Sequence, residues 1–143
     1  MVRALELARL SAGEGEIPVG AVIVRDGEII GEGRNLRESK KSALSHAEIE
    51  AIKEANRNLA DWRLDDCEMY VTLEPCVMCT GAIINSRIKK VVFGAFEPKS
   101  GACSSDSVVN LFSLPFNHSP EVYGGICEKE CAEIMTKFFK DKR

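Results

Sequence analysis

Apolar and polar positions recur along this chain with two periods, and the switches between them outline its elements. Val2, Leu5, Ala8 and Ala12 return at helical spacing, and Gly13 and Gly15 close that segment. Val19-Gly20-Ala21-Val22-Ile23-Val24 is an apolar run of strand length. Asp26-Gly27 behind it is a two-residue hairpin signal, which makes Glu28-Ile29-Ile30-Gly31-Glu32 the returning strand. A polar, basic loop is expected from Arg34 to Ser45.

The next helix is expected to start near His46, with Ile49, Ile52 and Leu59 on one face. A loop over residues 61–66 leads to a strand from Met69 to Leu73, then a helix through about Asn85. Residues 88–94 read as another strand. Residues 95–106, with Pro, Gly and Ser, read as a loop. A short helix over 107–114 and a short strand at Val122-Tyr123 are expected before a closing helix. Cys127, Cys131, Ile134, Met135 and Phe138 would line one face of that helix. Strands alternating with helices after an opening hairpin predict an α/β fold, a mixed sheet with helices on both faces.

The chemistry is concentrated in Glu74-Pro75-Cys76-Val77-Met78-Cys79, read together with His46-Ala47-Glu48. Pro75 suits the first position of a helix, where its missing N–H costs nothing. Cys76 and Cys79, three apart, share a helix face, and the helix dipole there favours thiolates. Zinc takes Cys sulfur and His nitrogen, so His46, Cys76 and Cys79 make a three-ligand site with a fourth position open for water. Two thiolates balance the charge of Zn²⁺. Glu48, two residues past His46 at a helix start that Ser45 is expected to cap, is placed to reach that water and carry its proton.

Composition bounds the rest. The chain has 143 residues, 45% apolar and 29% charged, which suits one domain, 1–143, with its own core. No apolar run approaches the ~20 residues of a membrane span. The first residues, Met1-Val2-Arg3-Ala4-Leu5-Glu6, lack a signal-peptide layout. Six cysteines do not demand disulfides. Cys127 and Cys131 are expected to be buried as small apolar residues, and a reducing cytoplasm fits.

Net charge is −3, a weak argument against a nucleic-acid partner. Yet basic residues cluster in three segments: 34–41 (Arg34, Arg37, Lys40, Lys41), 87–99 (Arg87, Lys89, Lys90, Lys99) and 137–143 (Lys137, Lys140, Lys142, Arg143). They form a phosphate-binding patch if they converge. Charge alone favours three separate solvated surfaces.

The order His-x-Glu, then Pro-Cys-x-x-Cys, is the signature of zinc nucleobase deaminases. Over nearly its whole length the chain also resembles the bacterial tRNA-specific adenosine deaminases. The similarity runs through residues 17–22, 31–35, 45–48, 72–79, 86–88, 91–95 and 98–101, Asn117-His118 and Phe138-Phe139. The resemblance implies a cytidine-deaminase-like three-layer α/β/α fold with about five strands. It also implies a homodimer, and hydrolytic deamination of wobble adenosine to inosine in a tRNA anticodon, typically that of an arginine tRNA.

By resemblance, His46, Cys76 and Cys79 are the zinc ligands and Glu48 the proton shuttle. Asn35 reads the target nucleotide, while Val19, Ala47 and Leu73 line its pocket. The loop from Glu97 to Gly101, with Lys99, and the tail with Phe139, Lys142 and Arg143 face the anticodon stem-loop. Two departures stand out: Glu97 occupies a position where the family usually has Asp, and Cys103-Ser104-Ser105-Asp106-Ser107 replaces a small Gly-Ser pattern.

Other readings of particular residues compete. Asn35 beside a hairpin end often serves only the backbone, His118 can cap a loop, and Phe138 continues the apolar face, leaving Phe139 for the surface. Two other functions compete as well. One is a deaminase of a free base or nucleoside such as guanine, cytosine or cytidine, with the same zinc group. The other is a non-enzymatic module with a closed structural zinc, which needs a fourth ligand such as Cys103 or Cys67.

Overall fold

The computed structural model describes residues 1–142; Arg143 lies outside the described residues. In chain order the elements are α1 (Val2–Gly13), β1 (Gly20–Arg25), β2 (Glu28–Arg34), α2 (Arg37–Lys40) and α3 (Ala47–Leu59). They continue with β3 (Cys67–Leu73), α4 (Val77–Ser86), β4 (Lys90–Ala95), β5 (Glu121–Tyr123) and α5 (Glu128–Asp141). One five-stranded sheet runs in the order β2-β1-β3-β4-β5. β1 is antiparallel to both β2 and β3, whereas β4 is parallel to β3 and β5 to β4. The sheet is mixed, as the alternation of elements predicted.

Local chemistry explains the turns. Asp26 and Gly27 both have positive φ, 51° and 79°, the conformation that a tight hairpin between twisted strands requires. α3 and α4 cover one face of the sheet, and α1 and α5 the other. Ile23, Met69, Val71, Val91 and Phe93 of the strands pack with Ala51, Ala55 and Ile83 of the helices. Burying a large side chain of this kind contributes about 1.5–3 kcal/mol. Gly33 lets α3 come close: a Cβ there would run into the Ala47 carbonyl oxygen at the start of that helix.

α3 also closes the open edge of β2. Glu54 accepts the Glu32 N–H at 2.8 Å, and Asn58, one turn later, donates to the Ile30 carbonyl at 2.8 Å.

Several local expectations change. The basic loop contains one helical turn, α2, because the buried Glu16 carboxylate caps it from a distance. Glu38 N–H, Ser39 N–H and the Ser39 hydroxyl all donate to Glu16, at 2.9, 2.8 and 2.6 Å. The helix expected over 107–114 shrinks to a 3₁₀ turn at Leu111–Ser113, because Asn110 pairs with Cys103 and its side chain takes the Phe112 N–H. Cys127 is exposed, not buried: it is the N-cap of α5 with φ 55°, and the helix begins only after it. Cys131 is buried as expected.

Because β1 opposes both its neighbours, β2 and β3 point the same way. The chain leaves both strands at one edge of the sheet, and there α3 and α4 begin. Crevices at such strand ends are where α/β sheets bind ligands.

Candidate active site

Two helix starts meet at that edge. His46 is the N-cap of α3 and Cys76 the N-cap of α4, both in extended conformation, and neither side chain caps its own helix. Each is therefore free to point across the gap. Ser45 is not the cap that its residue type suggested; it lies buried one residue earlier. Pro75 likewise precedes the N-cap instead of opening the helix, and its carbonyl takes the Ala102 N–H at 2.9 Å.

The ligand atoms of His46, Cys76 and Cys79 all lie within 4.8 Å of one another. His46 Nδ1 is 3.6 Å from both sulfurs. A tetrahedral centre with zinc's bond lengths to imidazole and thiolate places those atoms roughly 3.6 Å apart, so the donor set fits that ion. Among the described residues this is the one such group; Cys67 and Cys103 are not part of it. Cys103 instead sits 3.2 Å from the Thr80 hydroxyl, and burial pushes its thiol up to about 12. Neither cysteine considered as a fourth ligand joins the group.

The three groups perturb one another through short contacts. Cys76 is held down near 4, first by the hydrogen bond from Cys79 and then by that of His46. Cys79 is pushed up by the same bond and by burial. His46 is raised, chiefly by its hydrogen bond to Cys76. Glu48 is 4% exposed, and burial raises its carboxyl above the ordinary range. A carboxyl so placed holds a proton more readily than an exposed one, the property wanted of an acid/base at neutral pH.

Above the cluster opens a cavity of about 250 Å³, lined in part by His46, Glu48 and Cys76. Val19, Asn35, Ala47, Leu73, Glu97 and Phe139 also line it. The volume is smaller than the roughly 300–1,000 Å³ of drug-sized sites and suits one planar base. Asn35 serves the backbone as well as the cavity: its Oδ1 accepts the Arg37 N–H at 3.0 Å. That bond fixes the amide's orientation and aims Nδ2 the other way. His118 caps a loop, its Nε2 2.7 Å from the Ile88 carbonyl. Phe138 is buried and Phe139 exposed.

Other expected residues are not in the cavity. Lys99 is exposed on the neighbouring loop. Lys142 lines an adjoining groove with Arg37 and Phe139, where it donates to the Gly15 carbonyl at 3.3 Å. Arg143 lies outside the described residues. The three basic segments converge only in part, through Arg37 and Lys142. Arg34 pairs with Glu14, Lys40 with Glu50 and Lys90 with Glu68. Lys90 begins β4, roughly 17 Å of strand away from Ala95 at the site edge.

The cavity adds residues that sequence reasoning passed over. Arg37 had been counted only as one charge in a basic segment, and Met135 as part of an apolar helix face; both line the cavity. Glu74 lines it too and is 3% exposed, although nothing but its place in the Glu-Pro-Cys motif marked it. A larger groove of about 560 Å³ runs between α1 and α5, with Ala12, Ile134 and Phe138 but none of the ligating residues in its lining.

A profile of the MafB19-like deaminases matches residues 1–143. The chain belongs to that deaminase family. The deaminase is 46% identical, over all 143 residues and 88% of the relative, to the tRNA-specific adenosine deaminase of Bacillus subtilis. A structure solved in a study of A-to-I editing by tRNA:A34 deaminases aligns with a TM-score of 0.88. It is 43% identical over 92% of the deaminase and 94% of that chain. A guanine deaminase from Bacillus subtilis aligns with a TM-score of 0.65 at 44% identity, over 66% of the deaminase and 61% of that chain. No helix among the described residues is long and apolar enough to cross a membrane.

Proposed function

We propose that this protein is a zinc-dependent tRNA adenosine deaminase, one catalytic domain over residues 1–143, converting wobble adenosine to inosine. The reading rests on one observation: a buried carboxylate, Glu48, beside an open His/Cys/Cys group at the bottom of a base-sized cavity. The full-length likeness to tRNA-specific adenosine deaminases supports the choice of substrate. Zinc held by His46, Cys76 and Cys79 supplies Lewis-acid activation of the attacking water.

The protein's own groups do the rest. Glu48 takes a proton from the water and delivers it to adenine N1. Water oxygen bonds to C6; Glu48 then takes the remaining proton of that new hydroxyl and passes it to the amine as the C6–N bond breaks and the C6 carbonyl forms. Adenosine and water become inosine and ammonia. Val19, Ala47 and Leu73 clasp the faces of the base, which must be splayed from the anticodon stack to enter. Asn35 donates through Nδ2 to the target nucleotide. Arg37, Lys99, Lys142 and Arg143 meet phosphates, Glu97 flanks the entrance, and Phe139 offers a stacking face.

The reading carries a homodimer with it, checked by light scattering at micromolar concentration. Six unpaired cysteines support a cytoplasmic setting. Arginine tRNA is the proposed isoacceptor. The deciding experiment is sequencing of tRNA after treatment with the protein. A read as G at the wobble position is the expected result.

A deaminase of free guanine is the second reading, favoured by a small cavity of about 250 Å³ and by the partial likeness to a guanine deaminase. Turnover of free guanine with unchanged tRNA would establish it in place of the first.

A further inference from the structure

Glu74 has no part in the metal group and no proton to move in the chemistry above, yet its carboxylate is buried at the edge of the cavity. A buried carboxylate is costly unless hydrogen bonds replace its water. Here three donors do so. Glu97 N–H and Cys103 N–H each donate at 3.0 Å, and the Ser107 hydroxyl lies 2.7 Å from both oxygens. The Ser104 hydroxyl, 2.9 Å away, orients that of Ser107. The segment that departs from the family's small Gly-Ser pattern thus closes on Glu74.

All three donors belong to one stretch of chain, which contributes Glu97 and Ser100 to the cavity wall. Between the anchors at 97 and 103 lie Lys99, exposed, and Ser100, which lines the cavity. The wall is also stitched to the ligand segment, since Gly101 bridges to Cys76 and Ala102 N–H donates to Pro75. Fit at the joint is tight: a Cβ on Gly101 would come within 2.5 Å of the Glu74 carboxyl carbon and 2.7 Å of one of its oxygens. On the other side of Glu74 a single residue, Pro75, separates it from Cys76.

We infer that Glu74 is a positioning residue for substrate: it sets how far the Glu97–Ser100 wall stands from the metal-ligating floor. It governs how well the nucleotide is held, not the proton transfers at Glu48. The inference rests on the proposed reading that a nucleotide of tRNA fills the cavity.

The test measures kcat and KM on an anticodon stem-loop, zinc content and melting temperature for the wild type, Glu74→Gln, Ser107→Ala and Gly101→Ala. Glu74→Gln keeps the shape but turns an amide nitrogen toward a donor. Its KM should rise about tenfold, the scale of a hydrogen bond to a charged group. Its kcat should stay within about threefold of wild type, with one zinc per chain retained. Ser107→Ala should shift KM in the same direction by roughly twofold to threefold, and Gly101→Ala should fall between the two.

A loss of zinc, or a fall in kcat at constant KM, would assign Glu74 to the metal floor and overturn the inference. So would a lowered melting temperature with both kinetic constants unchanged. Should Glu74→Gln fail to fold, the other two variants decide by the same criteria. A wild type that leaves the stem-loop adenosine untouched overturns the functional reading itself, whereas an active wild type with no KM shift in the variants overturns this inference alone.

Discussion

The floor of the cavity and its walls are held in place by different means. The floor consists of side chains on two helix starts, His46 with Glu48 and Cys76 with Cys79, and those helices are packed on the sheet. The walls are loops without ladders of their own, each tied down by a buried carboxylate: Glu16 for residues 38–39 and Glu74 for residues 97–107. A group on a packed helix moves only with the helix. A loop group moves whenever its tie is cut. Substitutions in the floor should therefore act on chemistry, and substitutions in the walls on recognition.

The largest effect expected is from Cys79→Ser, which should abolish both metal binding and turnover. Metal analysis beside an activity assay checks it, and full zinc occupancy in this variant would remove Cys79 from the floor. Glu48→Ala should separate metal from chemistry: zinc is retained while kcat drops at least ~10²-fold, the scale of general acid–base loss. Wild-type turnover in that protein would end the proton-shuttle assignment.

The walls should answer differently. Arg37→Ala and Lys142→Ala should each weaken stem-loop affinity and lower the salt slope, d log K/d log[salt], by roughly 0.7, the value for one phosphate on a single strand. Binding titrations across a salt series measure this. Unchanged slopes would move the phosphate path off this groove.

The smallest effect concerns Glu16. Burial alone would raise its carboxyl, but hydrogen bonds from Ser39 and Glu38 together hold it below its ordinary 4.5. The charged form is thus favoured by folding. Its contribution is complete above about pH 4.5 and is lost as pH falls through the lower folded value. Glu16→Gln should flatten the acid limb of stability against pH, with little change near neutrality beyond a constant offset. Chemical denaturation from pH 3 to 7 reports it, and parallel curves for the two proteins would deny the carboxylate this role.

The same division explains what was legible in the sequence. The floor is written in local terms: a His, an acid two residues on and two cysteines three apart have few other uses in that order, and the alternation of periods places them at helix starts. The hairpin was legible because Asp26-Gly27 is a local signal. The walls were not, since the partner that folds Arg37–Lys40 into a turn is Glu16, about twenty residues away and flanked by nothing suggestive. The role of Ser107 was hidden for the same reason, as its hydroxyl answers to Glu74 across 33 residues of sequence. Cys127 looked apolar by helical spacing, but a residue with φ 55° stands outside the helix whose face it seemed to extend.

The bonds from Glu54 and Asn58 to the rim of β2 bear on how copies of this chain meet. A bare outer strand invites another strand to add to it, the usual route to open-ended aggregation. On this rim the Glu32 N–H and the Ile30 carbonyl are already engaged by side chains of α3. At the other rim β5 is three residues long, too short to template much pairing. Neither border of the sheet invites lateral growth, so strand addition between copies of this chain is disfavoured at both.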